Sequence, residues 1–147
     1  MSTYLSLHYH IVFSTKHREP WLSPSFRGRV HDYLGGTVKG LKGEIDGVGG
    51  TGDHVHLLVS LRATHHLADF VRELKKTSSL WIKQEGGLAG FGWQDGYCAV
   101  TVSPSARPAV REYIARQAEH HRKRSFREEL IDILEKTGIA YDAKYLD

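Results

Sequence analysis

Asp53-His54-Val55-His56-Leu57-Leu58-Val59-Ser60-Leu61 has the composition of a β-strand, and it opens on a glycine-rich stretch, Gly43 to Gly52. Residues two apart on a strand share a face, so His54 and His56 project together and Val55 points the other way. Working back toward the N-terminus, the glycine-rich stretch holds a shorter possible strand around Ile45 and Val48. Before it, Ser23 and Pro24 fit the cap and first position of a helix. The stripe of that helix is Phe26, Val30, Tyr33, Leu34, Val38 and Leu41, and Gly40 with Gly43 ends it. Earlier still, Leu5, Leu7, Tyr9, Ile11 and Phe13 alternate with Ser6, His8, His10 and Ser14, the period of a half-buried first strand.

On the C-terminal side, Thr64 is placed to cap a helix with Leu67, Phe70, Val71, Leu74, Ser78, Trp81 and Ile82 on one stripe, stopped by Gly86 and Gly87. Tyr97 to Ser103 is another β-prone run. Pro108 then starts one helix carrying Val110, Tyr113, Ile114, Gln117 and His121. Ser125 and Glu128 form a capping-box pattern for a last helix with Phe126, Leu130, Ile131 and Leu134 inward and Gly138 as its stop. Strand, helix, strand, strand, helix, strand, then two helices predicts an α+β fold. It is the ferredoxin-like, split βαβ arrangement: a four-stranded antiparallel sheet with two packing helices, followed by C-terminal helices.

The chain has 147 residues, 40% of them hydrophobic, which suits one compact domain spanning 1–147. A lone Cys98 makes no internal disulfide, no apolar run is long enough to span a membrane, and no leader opens the chain, so a cytoplasmic setting is expected. Cys98 itself reads as a small buried residue. A formal charge of +3 and ten histidines suit a polyanionic partner.

An isolated His-x-His is more often the polar face of a half-exposed strand than a metal site. A third donor would change that, and Gln117 lies one helical turn after Tyr113, on the same face. Of the seven tyrosines, only Tyr113 has a glutamine at that spacing. Asp53 could orient His54 by accepting a hydrogen bond, although it is as easily a solvated strand-end residue, and it is left out of the ligand set. A non-catalytic RNA-binding sheet would leave His54, His56, Tyr113 and Gln117 unexplained. A zinc hydrolase would lack a carboxylate base beside the histidines.

Several ordered segments carry a resemblance. They are Tyr9-His10-Ile11-Val12-Phe13-Ser14-Thr15-Lys16, Asp53-His54-Val55-His56-Leu57-Leu58, the helix with Asp69, Val71, Arg72, Lys75 and Ser78-Ser79, and Trp93-Gln94-Asp95-Gly96-Tyr97. Tyr113-Ile114-Ala115-Arg116-Gln117 with Glu119-His120-His121-Arg122-Lys123, Ser125-Phe126-Arg127-Glu128-Glu129 and Tyr141-Asp142-Ala143-Lys144-Tyr145 continue it. Together they resemble the HUH-type, single-tyrosine transposases of bacterial insertion sequences that move as single-stranded DNA, the IS200-like family. Thr51-Gly52 departs from the Met-Pro often seen there in relatives.

The resemblance implies that His54 and His56 are a metal-binding pair, Gln117 the third ligand and Tyr113 the nucleophile. The implied reaction cuts and rejoins single-stranded DNA at element ends through a 5′-phosphotyrosine. The implied cofactor is Mg2+ or Mn2+, although two imidazoles by themselves would also suit zinc. The implied partners are single-stranded or hairpin DNA and a second copy of the chain, with the active site shared between subunits in some relatives. A domesticated or inactive relative that only binds hairpin DNA is the alternative. Phosphate contacts are expected from Lys16, Arg18, Arg72, Lys75, Lys76, Arg116, Arg122 and Lys123, and base stacking from Trp93 or Tyr97.

Overall fold

A computed structural model describes residues 1–146; Asp147, the end of the expected 1–147 domain, lies outside the described residues. Strands β1 (His8–Ser14), β2 (Glu44–Gly50), β3 (His54–Ser60) and β4 (Cys98–Thr101) form one antiparallel sheet in the order β2-β3-β1-β4. Helices α1 (Pro24–Gly40) and α2 (Leu67–Glu85) make the two crossovers. After β4 come α3 (Arg107–Ala115), the short α4 (Gln117–His120) and α5 (Phe126–Lys136). This is the ferredoxin-like α+β arrangement that the order of sequence signals predicts.

The pleat divides the central strands into two working faces. Ile11, Phe13, Val55, Leu57 and Val59 point to one side, where Val30, Leu34 and Val38 of α1 and Phe70, Val71, Leu74 and Ile82 of α2 bury them. These helix residues recur every three or four positions, so one stripe per helix suffices. The residues between them, His10, Val12, His54, His56 and Leu58, are also buried, under α3 to α5 on the other side. The sequence predicts β1 as half-buried with His10 on its polar face. His10 is buried because the C-terminal helices close over that face, a long-range event that alternation in one strand does not reveal.

β2 is built to let a helix approach. A side chain at Gly49 would start 2.1 Å from the Ile114 carbonyl oxygen of α3, so only hydrogen is tolerated there. Beside it, Asp46 accepts from Arg107 at 3.1 Å and from Arg111 at 2.7 Å, tying the β2 bulge to the same helix.

Two element boundaries depart from expectation, and a third, the end of α1 at Gly40, falls where expected but turns through an unexpected left-handed residue. The helix read as continuous from Pro108 through His121 breaks at Arg116 (φ −100°, ψ 19°), which re-aims Gln117 toward the sheet. Thr64 is not the α2 cap: His65 N–H closes a turn onto Arg62 O at 3.1 Å, and the helix begins at Leu67. α1 ends in a Schellman-type turn, Gly43 N–H to Val38 O at 3.0 Å, whose left-handed residue is Lys42 (φ 73°). The Ser125–Glu128 capping box opens α5 as expected, and Gly138 adopts φ 72° just past its end.

Candidate active site

β3 delivers His54 and His56 to the face covered by the C-terminal helices, and the Arg116 break turns Gln117 inward, so all three side chains are buried. Tyr113 comes down from α3 onto the same cluster, its ring 5.9 Å from that of His56. The two weak sequence signals therefore meet in space, within one chain.

The distances describe a dense polar network. His54 Nε2 lies 2.9 Å from Gln117 Oε1, and His54 Nδ1 donates to Asp53 Oδ1 at 2.7 Å. Thr51, at the departure from the resemblance, donates to the same Asp53 oxygen at 3.0 Å and so helps to hold it. His56 Nδ1 lies 2.7 Å from His10 Nε2, and His56 Nε2 lies 3.0 Å from Glu129 Oε1. The other Glu129 oxygen accepts from Gln117 Nε2 at 2.8 Å and from the Tyr113 hydroxyl.

The sequence reading gives Glu129 no role and His121 only a place on the Tyr113 helix, yet both belong to this cluster, so a carboxylate does stand beside the histidines, contrary to expectation. His121 Nε2 is 3.0 Å from Glu129 Oε1 and 3.1 Å from Gln117 Oε1. Glu129 is fully buried on α5, three residues after Phe126, on the stripe expected to be apolar. An acidic residue on an inward stripe was the available signal. His54, His121 and Glu129 offer ligand atoms that all lie within 4.8 Å of one another, a spacing able to hold a metal ion.

Burial and hydrogen bonding pull the titrations apart. Burial opposes the charge on Glu129, but hydrogen bonds from His121, His54 and His56 hold its carboxyl far below the usual range. Burial likewise disfavours the charged His54 ring, yet Asp53, Glu129 and Gln117 lift it to about 8. His56 is lowered by burial, and His10 falls to about 3 through burial and the neighbouring His56. The Tyr113 phenol is pushed up, by burial first and then by its bond to Glu129, so at neutral pH it keeps its proton.

The expected DNA-contacting residues divide. Lys16, Lys76, Arg122 and Lys123 are exposed. Arg72 pairs with Asp69 at 2.9 Å and Arg116 with Glu112 at 2.9 Å, both on the surface. Lys75 is committed elsewhere: it donates to the carbonyls of Gln94 (2.7 Å) and Gly96 (2.8 Å), pinning the loop before β4. Arg18 donates to the Leu146 carbonyl and lies over the Phe126 ring. Trp93 is no base platform, because it is buried with its indole N–H on Ser78 Oγ at 3.0 Å. Tyr97 is exposed and lines a cleft of about 270 Å³ between β4 and α5, together with Phe126 and Tyr145. Cys98, expected to be buried, is only partly so on the β4 edge.

The cluster thus sets a strand-borne histidine pair on a ferredoxin-like sheet beneath a helix-borne tyrosine. The family model described as "Transposase IS200 like" matches residues 3–117, and the chain belongs to that family of transposases. It is similar to the ISDra2 transposase TnpA of Deinococcus radiodurans, 29% identical over 117 residues that cover 76% of this chain and 84% of the relative. Among solved structures it resembles a candidate transposase from Deinococcus radiodurans R1, with a TM-score of 0.63, 27% identity, and 80% of this chain and 95% of the other covered. It shares its fold with a REP-associated tyrosine transposase solved bound to a REP hairpin, with a TM-score of 0.60, 16% identity, and coverage of 82% and 74%. Among the described residues, no helix is long and apolar enough to cross a membrane.

Proposed function

We propose that this transposase cuts and rejoins single-stranded DNA by transesterification, with Tyr113 as the nucleophile and His54, His56 and Gln117 as ligands of a divalent cation. The observation that carries this reading is the convergence of the four side chains in one buried cluster of a single chain. The donor set is mixed: two buried imidazole nitrogens suit a transition metal and a buried amide oxygen suits Mg2+ or Mn2+, so Mn2+ meets both demands best. When bound, such a cation supplies Lewis-acid stabilisation of charge on the scissile phosphate.

The chain's own residues account for the rest. Asp53 holds the His54 ring by its Nδ1, and His10 does the same for His56, which fixes both rings toward the site. Glu129 accepts the Tyr113 hydrogen bond and so aims the phenol oxygen. In the reaction the phenol oxygen bonds to phosphorus, the bond to the 3′-oxygen breaks, the phenolic proton is released, and the departing oxygen takes one up. A 5′-phosphotyrosine and a free 3′-hydroxyl result. A second 3′-hydroxyl reverses the exchange and rejoins DNA without a nucleotide cofactor.

Hairpin or single-stranded DNA at element ends is the proposed substrate. Exposed Lys16, Lys76, Arg122 and Lys123 are available to phosphates, and Tyr97 to an unpaired base. Two ends must be cut, so a homodimer is proposed, each subunit with a complete site. Mixing Tyr113→Phe chains with His54→Ala chains then restores no cleavage, whereas a tyrosine serving its partner's cation would restore some.

Incubation with single-stranded DNA carrying element ends, with and without Mn2+, tests the reading. Wild-type protein is expected to become covalently attached to DNA only with the metal, and Tyr113→Phe not at all. Hairpin binding without any adduct would instead identify a domesticated, DNA-binding relative, and free phosphate ends a hydrolase.

A further inference from the structure

We infer that His121 and Glu129 are also ligands of the cation, forming with His54 and Gln117 a four-atom square that the C-terminal segment completes. This deepens the metal-dependent reading above and rests on it. Neither residue falls in the part of the chain that matches the family model, which ends at Gln117.

The first argument concerns which atoms carry hydrogens. Asp53 is a carboxylate at His54 Nδ1, and the Arg124 carbonyl lies 2.8 Å from His121 Nδ1; both partners can only accept, so each Nδ1 is a donor. In the neutral rings each Nε2 is then a bare lone pair. Gln117 donates its Nε2 to Glu129, which turns its Oε1 inward as an acceptor. Four acceptor atoms thus converge: His54 Nε2, His121 Nε2, Gln117 Oε1 and Glu129 Oε1. Without metal these acceptors are held together only by ring protons, and a cation at their centre displaces them and meets all four lone pairs.

The second argument is metric. Around the square, His54 to Gln117 is 2.9 Å, Gln117 to His121 3.1 Å, His121 to Glu129 3.0 Å and Glu129 to His54 3.5 Å. An octahedral cation with bonds of about 2.1 Å has edges of about 3 Å and diagonals of about 4.2 Å. The ligand atoms of His54, His121 and Glu129 all lie within 4.8 Å of one another, which accommodates such a diagonal. His56 Nε2, 3.0 Å from the same Glu129 oxygen, adjoins the square from β3.

The third argument is charge. A carboxylate with no solvent exposure is costly in a protein interior unless hydrogen-bonded and balanced by positive charge. Its two oxygens divide the work: Oε1 belongs to the square, while Oε2 holds the Tyr113 hydroxyl. One side chain thereby links the cation to the nucleophile, and α5 becomes part of the active site rather than a cover for it.

Mn2+ binding, read as loss of the free-ion paramagnetic resonance signal, tests this without DNA or turnover. Glu129→Gln and His121→Ala are each expected to weaken binding by about tenfold or more. Glu128→Gln, which keeps the exposed capping box, should stay within twofold of wild type. Wild-type affinity in both folded variants overturns the inference, as does tighter binding by Glu129→Gln, which would make the carboxylate an obstruction. If circular dichroism shows either variant unfolded, anomalous diffraction from Mn2+-soaked wild-type crystals decides. A peak bonded to both Glu129 and His121 supports the inference, and one with either side chain turned away overturns it. Failure here leaves the Tyr113 adduct intact, whereas failure of the transposase reading abolishes the adduct in wild type even where Mn2+ binds.

Discussion

Val55, Leu57 and Val59 meet α1 and α2 through side chains with no polar atom, while their neighbours His54 and His56 meet α3 to α5 through hydrogen bonds. Both sets are fully buried on the same strand. The apolar face gains free energy from each carbon removed from water, at roughly 25 cal/mol per Å². The polar face must offset the desolvation of imidazoles, an amide and a carboxylate by bonding them to one another. One face therefore works as the scaffold, and the other is a buried polar interior. The pleat separates them by a single residue step.

The comparison breaks most sharply at Tyr113. Tyr113→Phe should abolish the covalent DNA adduct on a denaturing gel while leaving the thermal midpoint close to wild type, because its ring packing is retained. Leu74→Ala, on the scaffold side, should do the reverse. It is expected to lower unfolding free energy by about 2–5 kcal/mol in denaturant titration, with adduct formation preserved wherever the protein stays folded.

Gly49→Ala tests whether the polar face depends on close helix approach. The added carbon meets the Ile114 carbonyl, so α3 must shift, with an expected loss of about 1–3 kcal/mol and a cleavage rate lowered about a hundredfold. Gly28→Ala in α1 meets nothing within 4 Å and should be neutral or stabilising by up to about 1 kcal/mol. A Gly49→Ala protein with normal cleavage would show that Tyr113 is not placed by this contact.

The smallest effect is a pH dependence on the scaffold side. His31 on α1 is lowered to about 4 by burial and by Arg27, and its Nε2 has no hydrogen-bond partner among the described residues. Between pH 6.5 and 4 the unfolded chain binds the proton and the folded chain does not. Stability is therefore full above 6.5 and is lost as pH falls through 4, by about 1 kcal/mol after allowing for partial exposure. His31→Gln should flatten that part of the stability profile, and an unchanged slope would remove His31 from the account.

Much of this architecture was legible because it is local. Alternation in β1 and β3, the stripes of α1 and α2, and the Ser125–Glu128 cap each follow from spacing within a few residues. The spacing of His54 and His56 fixed that they share a face, and Gln117 four residues after Tyr113 hinted at a shared surface. Other features were not legible, because they depend on what arrives from far along the chain. The sequence places His10 on a polar strand face, Trp93 as a base platform and Lys75 as a phosphate contact; α3 to α5 bury the first, and Ser78, Gln94 and Gly96 engage the others.

By itself, then, the sequence determines the order of the elements, the two faces of each strand, and that His54 shares a face with His56 and Tyr113 with Gln117. Only the tertiary structure decided that β2's glycine backbone admits α3, that the chain breaks at Arg116, and that Glu129 and His121 arrive beside His54. The reason is physical. Periodicity records which side of an element is buried, whereas the identity of what covers it, and so every long-range hydrogen bond, is set by packing among segments far apart in sequence, 73 residues between His56 and Glu129 and 128 between Arg18 and Leu146.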